Sequence, residues 1–351
     1  MRVAITGATG NVGTSLLAAL DGEDCVEEIV GIARRRPAIS FDRTSWVCAD
    51  ITRDDLTEAF RGADAVVHLA WLIQPSHDRA TTRAVNFEGS RRVFEAAAAA
   101  GVASIVYASS VGAYSVGPKD RTVDESWPTD GIPTSFYSRD KADVEALLDT
   151  FERAHPSIRV VRLRPGLIFK ADAASGIRRL FAGPFLPTPL LRRRLIPIVP
   201  ALDRLRFQAV HSLDIGEAYK LALLSDVRGP FNVAAEPVLD PPELGRLLGA
   251  RPVRIPEKAL RTVVDLSWRA RLQPTPTGWL DLALGVPLMD TTRAREELGW
   301  SPTRTSGEAL LELIEGMRRG DGLQTAPLQP GGAGPARVRE LLTGVGGRSR
   351  G

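Results

Sequence analysis

The first thirteen residues restrict the fold more than any other stretch of this chain. Arg2–Thr6 (RVAIT) reads as a short buried strand, and Gly7-Ala8-Thr9-Gly10-Asn11-Val12-Gly13 follows at once, opening a helical pattern over Thr14–Leu20. Glycines three residues apart are a weak signal by themselves. Set between a strand and a helix, they permit a tight bend and let backbone N–H groups approach a pyrophosphate at the helix N-terminus. Gly7, Thr9, Gly10, Asn11, Val12 and Gly13 are therefore the first candidate cofactor-binding residues.

The chain then alternates strands with helices. Strands are expected at Glu28–Ile32, Trp46–Cys48, Ala65–Ala70, Ser104–Ala108 and Ile158–Leu163, with helices at Asp54–Phe60 and Thr81–Ala100. That order predicts an α/β fold, a doubly wound parallel sheet. After residue 170 the texture changes, and 171–206 are rich in Arg, Pro and Leu without a clean period. A strand at Phe207–Val210, a helix at His211–Leu224 with Asp214 and Glu217 outward, a strand at Phe231–Val233 and short helices at Pro242–Leu248 and Thr292–Leu298 follow. The expected organisation is a dinucleotide-binding domain over 1–170 with 207–228 returning to it. A smaller C-terminal substrate-binding lobe would comprise 171–206 and 229–315, and 316–351 would be a flexible tail. From Gly320 onward 12 of 32 residues are Gly or Pro, so removing 320–351 should leave stability and cofactor affinity unchanged. A transient helix over Arg337–Leu342 is the one element expected there.

Strand ends carry the chemistry. The second strand ends in Ala33-Arg34-Arg35-Arg36, which offers no carboxylate to a ribose 2′-hydroxyl, whereas Arg34 or Arg35 suits a 2′-phosphate. NADP(H) is favoured, and NAD(H) fits the same turn. Asp50, followed by Ile51, either accepts from an adenine amino group or only starts the next helix. Leu69 and Ala70 let backbone approach a cofactor, Trp71 would wall the site, His68 reads as a packed histidine, and Asn86 either fixes a loop or is an ordinary helix position. Ser109 and Ser110 end the fifth strand. Farther on, Tyr137 and Lys141 lie four residues apart in a helical pattern and so share a face. Four tyrosines and five lysines in 351 residues make that spacing rare by chance. A phenol titrates near ~10, and a fixed ammonium beside it favours the phenolate and brings it toward working range.

With 44% hydrophobic and 25% charged residues the composition is that of an ordinary globular protein. No apolar run reaches the roughly 18 residues of a membrane span, and the opening MRVAIT leaves no room for a signal peptide. Cys25 and Cys48 share no metal or redox spacing, which fits a cytoplasmic protein without a metal centre. Net charge is only +3, and the clusters Arg34–Arg36 and Arg192–Arg194 lack interleaved aromatics, which argues against a nucleic-acid surface.

Together these motifs resemble the extended short-chain dehydrogenase/reductase family, which includes the NAD(P)-dependent epimerase/dehydratases. The carriers are Gly7–Gly13, Asp50-Ile51, His68-Leu69-Ala70, Val85–Gly89, Ala108–Tyr114, Tyr137–Lys141 and Arg164-Pro165-Gly166. Val210–Ile215, Phe231–Val233 and Asp290–Trp300 extend the likeness to about residue 315. The resemblance implies a Rossmann-type fold, Ser110 as catalytic serine, Tyr137 as acid/base, and Lys141 as the residue that tunes Tyr137 and holds the nicotinamide ribose. Pro165 joins the cofactor site on the same ground. It implies an NAD(P)-dependent oxidoreductase or epimerase acting on a small carbonyl or alcohol. A nucleotide-sugar epimerase or dehydratase with tightly held NAD is the alternative, and a non-catalytic dinucleotide sensor would be expected to lack the Tyr–Lys pair. Leu167-Ile168-Phe169 after Gly166, Arg206 one place off the sugar-epimerase pattern, and Trp71 all depart from the nucleotide-sugar branch. Neither nucleic acid nor membrane is expected as a partner, and a homodimer is left open.

Overall fold

The structure, a computed structural model, describes residues 1–74, 77–182 and 197–330. Expectations for Arg192–Arg194 and Arg337–Leu342 lie outside those residues. In chain order the elements begin β1 (Arg2–Thr6), α1 (Asn11–Leu20), β2 (Glu28–Ala33), β3 (Thr44–Cys48), α2 (Thr57–Phe60) and β4 (Ala65–His68). Next come α3 (Arg79–Arg83), a π-helical stretch at Ala84–Gly89, α4 (Ser90–Ala99), β5 (Ser104–Ala108), β6 (Thr122–Val123) and α5 (Phe136–Ala154). The chain continues through β7 (Arg159–Pro165), β8 (Leu167–Phe169), α6 (Ala174–Ile177), β9 (Ile198–Ala201), β10 (Ala209–His211), α7 (Ser212–Leu224) and β11 (Gly229–Val233). It closes with α8 (Pro241–Leu248), β12 (Arg251–Arg254), α9 (Glu257–Arg269), α10 (Gly278–Gly285), β13 (Leu288–Met289), α11 (Thr292–Glu296) and α12 (Ser306–Arg319).

Seven strands form one parallel sheet in the order β11-β7-β5-β4-β1-β2-β3. Alternate side chains of β1 divide the core. Val3 and Ile5 face α1 and α7 with Leu16, Leu20, Ile215 and Tyr219, while Ala4 faces Phe60, Phe94, Val144 and Leu148 from α2, α4 and α5. Burial on both faces is what a parallel sheet requires. The order of strands reverses between β1 and β4, and in open α/β sheets the crevice at such a switch point is where ligands bind.

Several expectations are corrected. Gly229–Val233 is an edge strand of the main sheet, paired from Gly229↔Val161 to Val233↔Pro165, and not part of the lobe. The apolar strand at 207–210 is shorter and pairs with β8 outside that sheet. Asp214 is buried, not outward, because it accepts from Thr303 Oγ1 at 2.5 Å and from Arg304 N at 3.2 Å. The helix expected over Asp54–Phe60 starts only at Thr57. Helix α12 follows the one expected to be last, fixed by a Thr305–Glu308 capping box and packed by Leu310, Leu311 and Ile314 onto the lobe cluster of Val199, Leu239, Leu244 and Leu247. Residues 316–319 thus belong to a helix, and Thr325 and Leu328 beyond it are buried.

Candidate active site

The glycine turn closes as backbone architecture alone. Gly7 is left-handed at φ 73°, and a Cβ on it would stand 2.7 Å from Ala70 N. One on Gly13 would stand 2.5 Å from Ala8 O. Both positions therefore exclude any side chain, and the end of β4 packs straight onto the turn. Helix α1 begins at Asn11 rather than Thr14, with Gly10 as an N-cap that supplies no side-chain acceptor, and its first turn holds no acid. The N–H groups of that turn are left for an anion. Asn11 Oδ1 is buried without a partner among the described residues. Val12 packs against the core, and Thr9 is buried in the turn. This glycine cradle and uncapped helix end fit a dinucleotide pyrophosphate.

Beside the turn, Ala33 ends β2 and accepts from Ala49 N at 3.1 Å. Arg34 and Arg35 follow, both exposed. Asp50 is a half-correction: its Oδ1 takes Thr52 N at 3.0 Å and Thr52 Oγ1 at 2.7 Å, so it first shapes its own turn. Burial works against its charge, but those bonds and the Arg34 guanidinium hold the carboxyl below its ordinary range. Ile51 is buried against Gly89. Leu69 N donates to Thr6 O at 3.0 Å, which fixes the strand end at the switch point. Pro165 closes β7 against Val233 of β11.

Tyr137, Ser110 and Lys141 are brought together by the first turn of α5. Ser138 Oγ donates to Gly112 O at 2.5 Å and accepts from Ile132 N at 2.6 Å, pinning the helix to the turn after β5. A Cβ on Gly112 would lie 2.8 Å from Tyr137 Cε1 and 3.3 Å from Ser110 Oγ, so glycine there makes room for the phenol. The two serines separate cleanly. Ser109 Oγ donates to Glu145 Oε1 at 2.5 Å, and Arg164 grips the same carboxylate through Nε at 2.8 Å and Nη2 at 2.9 Å. Ser110 Oγ accepts from Gly112 N at 3.0 Å and stands beside the Tyr137 phenol, over the same glycine.

Lys141 Nζ donates to Ala108 O at 2.5 Å and lies 3.5 Å above the Trp71 ring but 6.0 Å from the centre of the Tyr137 ring. Burial lowers the ammonium to about 7, opposed by Glu145 and Asp140. Burial also raises the Tyr137 phenol, with the Ser110 hydrogen bond drawing it down. The ammonium thus faces a carbonyl and an indole and stands off from the phenol, so its charge and not a direct contact is what reaches Tyr137.

Aromatic walls enclose the phenol. Trp71 meets Tyr137 edge-on at 6.0 Å, Trp279 of α10 lies 4.9 Å away, and Phe181 stands edge-on to Trp279 at 4.9 Å. Asn86 fixes the loop after Trp71, accepting from Leu72 N at 2.8 Å and donating to Leu72 O at 2.9 Å. It does so from the π-helical stretch, whose wider turn departs from the α-helical frame of α3 and α4. His68 is packed as expected, between Thr6 Oγ1 at 2.7 Å and Ser90 Oγ at 2.9 Å, and burial lowers it to about 3. The sequence missed Gly112, Trp279, Phe181 and Glu145. Glu145 alone had a signal, being one further helical turn along the Tyr137–Lys141 face. Among the described residues no cluster could hold a metal ion, and no helix is long and apolar enough to cross a membrane.

Comparison with known proteins bears on family and fold. An NAD dependent epimerase/dehydratase family model matches residues 3–182. An uncharacterised protein of Mycobacterium tuberculosis is 30% identical over 326 residues, 92% of this chain, which spans only 31% of that relative's length. An L-arabinose 1-dehydrogenase (NAD(P)(+)) of Haloferax volcanii is 34% identical over 49% of this chain and 68% of its own. A 4-hydroxy-2-methyl-3-oxo-4-farnesyl-3,4-dihydroquinoline-1-oxide ketoreductase of Stigmatella aurantiaca is 25% identical over 92% of this chain and 98% of its own. Among solved structures, a UDP-glucose 4-epimerase of Thermotoga maritima superposes with a TM-score of 0.65 at 18% identity, covering 91% of this chain and 99% of that one. The chain belongs to the NAD dependent epimerase/dehydratase family.

Proposed function

We propose that the protein is an NAD(P)-dependent oxidoreductase that interconverts an apolar ketone and its secondary alcohol. The observation that carries the proposal is Tyr137, set beside Ser110 over Gly112, with Lys141 on the same helical face and enclosed by Trp71 and Trp279. When bound, the nicotinamide supplies or accepts hydride at its C4. Ser110 orients the substrate oxygen, and Tyr137 gives that oxygen a proton as the carbonyl carbon gains hydride. In the oxidative direction Tyr137 takes the proton as the carbon loses hydride. Lys141 favours the phenolate through its charge, and the aromatic walls keep water from the reacting oxygen. Ring faces suit an apolar substrate better than a hydroxyl-rich sugar diphosphate, whose polar groups need buried partners. The prenylated ketone named for the Stigmatella relative accords with that class. The test is transfer of deuterium from 4-deuterated NADPH or NADH to a panel of apolar prochiral ketones, with labelled alcohol expected. Tightly retained cofactor that keeps its label would instead support an epimerase or dehydratase.

For the cofactor we propose NADP(H), held at its 2′-phosphate by Arg34 or Arg35 after the uncharged Ala33. One charge-assisted hydrogen bond is worth about 1.5–3 kcal/mol, so NADPH should bind about tenfold or more tighter than NADH. Arg34→Ser with Arg35→Ser should abolish that preference. Equal affinities in the wild type would contradict it.

A further inference from the structure

Residues 321–328, expected to trail away from the body, fold back onto the dinucleotide-binding end of the sheet. Gly320 ends α12 in the left-handed conformation, φ 76°, and turns the chain. Asp321 O then accepts from Ser175 N at 3.3 Å and Ser175 Oγ at 2.8 Å, while Arg179 Nη2 reaches Pro327 O at 3.2 Å. Leu323 N to Leu328 O at 2.9 Å and Leu328 N to Thr325 O at 3.1 Å close the segment on itself. Thr325 and Leu328 are only 2% and 4% exposed. Two bonds leave this loop for the cofactor elements. Thr325 Oγ1 donates to Thr9 O at 2.9 Å, inside the Gly7–Gly13 turn. Ala38 N donates to Gln324 O at 3.3 Å, just beyond Arg34–Arg36.

We propose that residues 321–328 are a strap that positions the phosphate turn and the arginine loop against each other, and that Thr325 is a positioning residue for NADP(H). The proposal rests on the dinucleotide reading above. The glycines of the turn contribute no side chains to hold it, and Arg34–Arg36 are exposed, so a bond from outside adds a fixed point to each. An adenosine 2′-phosphate has to meet both at once, because the pyrophosphate lies on the turn and the ribose at the end of β2. Tying both to one buried loop lowers the ordering cost on binding and slows release. The strap also joins them to α6 and α12, so displacement of the lobe would loosen the grip on the cofactor.

The experiment is NADPH binding to the full chain, followed by nucleotide fluorescence, together with limited proteolysis of 321–328. Thr325→Val keeps the shape and removes the donor, whereas Thr325→Ser keeps the donor. Loss of one neutral hydrogen bond should raise the dissociation rate about threefold to tenfold in Thr325→Val. Thr325→Ser should release NADPH at the wild-type rate, and bound NADPH should protect the strap from cleavage. Wild-type release from Thr325→Val, or a strap equally cleaved with and without NADPH, overturns the proposal while leaving the dinucleotide site intact. Failure of the wild type itself to bind NADPH or NADH overturns both.

Discussion

Tyr137 and Lys141 are each pushed by burial away from the charge state that proton transfer uses, and the site's polar groups oppose that push. For Lys141 the sign is definite. Its folded value of about 7 lies below the ordinary one of 10.5, so burying the charged amine costs stability in full below about pH 7. That cost is relieved as pH rises toward 10.5. A positive charge 6.0 Å from the centre of the Tyr137 ring favours the phenolate over the neutral phenol. Lys141→Met removes the cation, and the ascending limb of the pH–rate profile for alcohol oxidation should move up by about one unit or more. An unmoved limb would show that Lys141 only fills space. At this scale the sequence was informative about roles and silent about choice. Tyr137 and Lys141 stood out by spacing, whereas strand-end position alone left Ser109 and Ser110 open; the resemblance favoured Ser110, and Ser109 is bonded to Glu145, which Arg164, distant in sequence, grips.

The elements deliver these residues through backbone contacts that leave no trace in periodicity. The 3₁₀ turn at Val111–Ala113 and the first turn of α5 meet at Gly112, where a methyl group would press on Tyr137 Cε1 at 2.8 Å. Gly112→Ala should displace the phenol and lower turnover by about a hundredfold, the usual consequence of a misplaced reacting group. NADPH affinity should be retained, because the glycine turn lies on another strand end. Unchanged turnover would mean that the ring has slack. Strands β1, β2, β4, β5 and β7 were legible because buried parallel strands read as apolar runs, whereas β3, an edge strand with no buried residue, was read two residues short. Strand β11, Gly-Pro-Phe-Asn-Val, was placed in the wrong layer because a short edge strand carries no sign of its partner. The aromatic wall was half legible: Trp71 follows a strand end, but Trp279 and Phe181 arrive from the lobe through tertiary packing alone.

On the scale of the molecule, the C-terminal segment returns to the glycine turn at the end of β1. Composition made 320–351 look structureless, since Gly and Pro content reports propensity and not the donors and acceptors a folded body offers. Ser175, Thr9 and Ala38 provide such partners for 321–325. What the whole arrangement is for depends on one proton. Single-turnover deuteride transfer from 4-deuterated NADPH to an apolar ketone, with cofactor saturating, compares wild type with Tyr137→Phe. The ring and its aromatic contacts remain in that variant, so NADPH should bind as before. Without the phenolic proton the rate should fall by about 10²- to 10⁴-fold, the usual contribution of general acid–base catalysis. A Tyr137→Phe rate within about threefold of wild type, against that expectation, would contradict the account, because the proton would then come from another group.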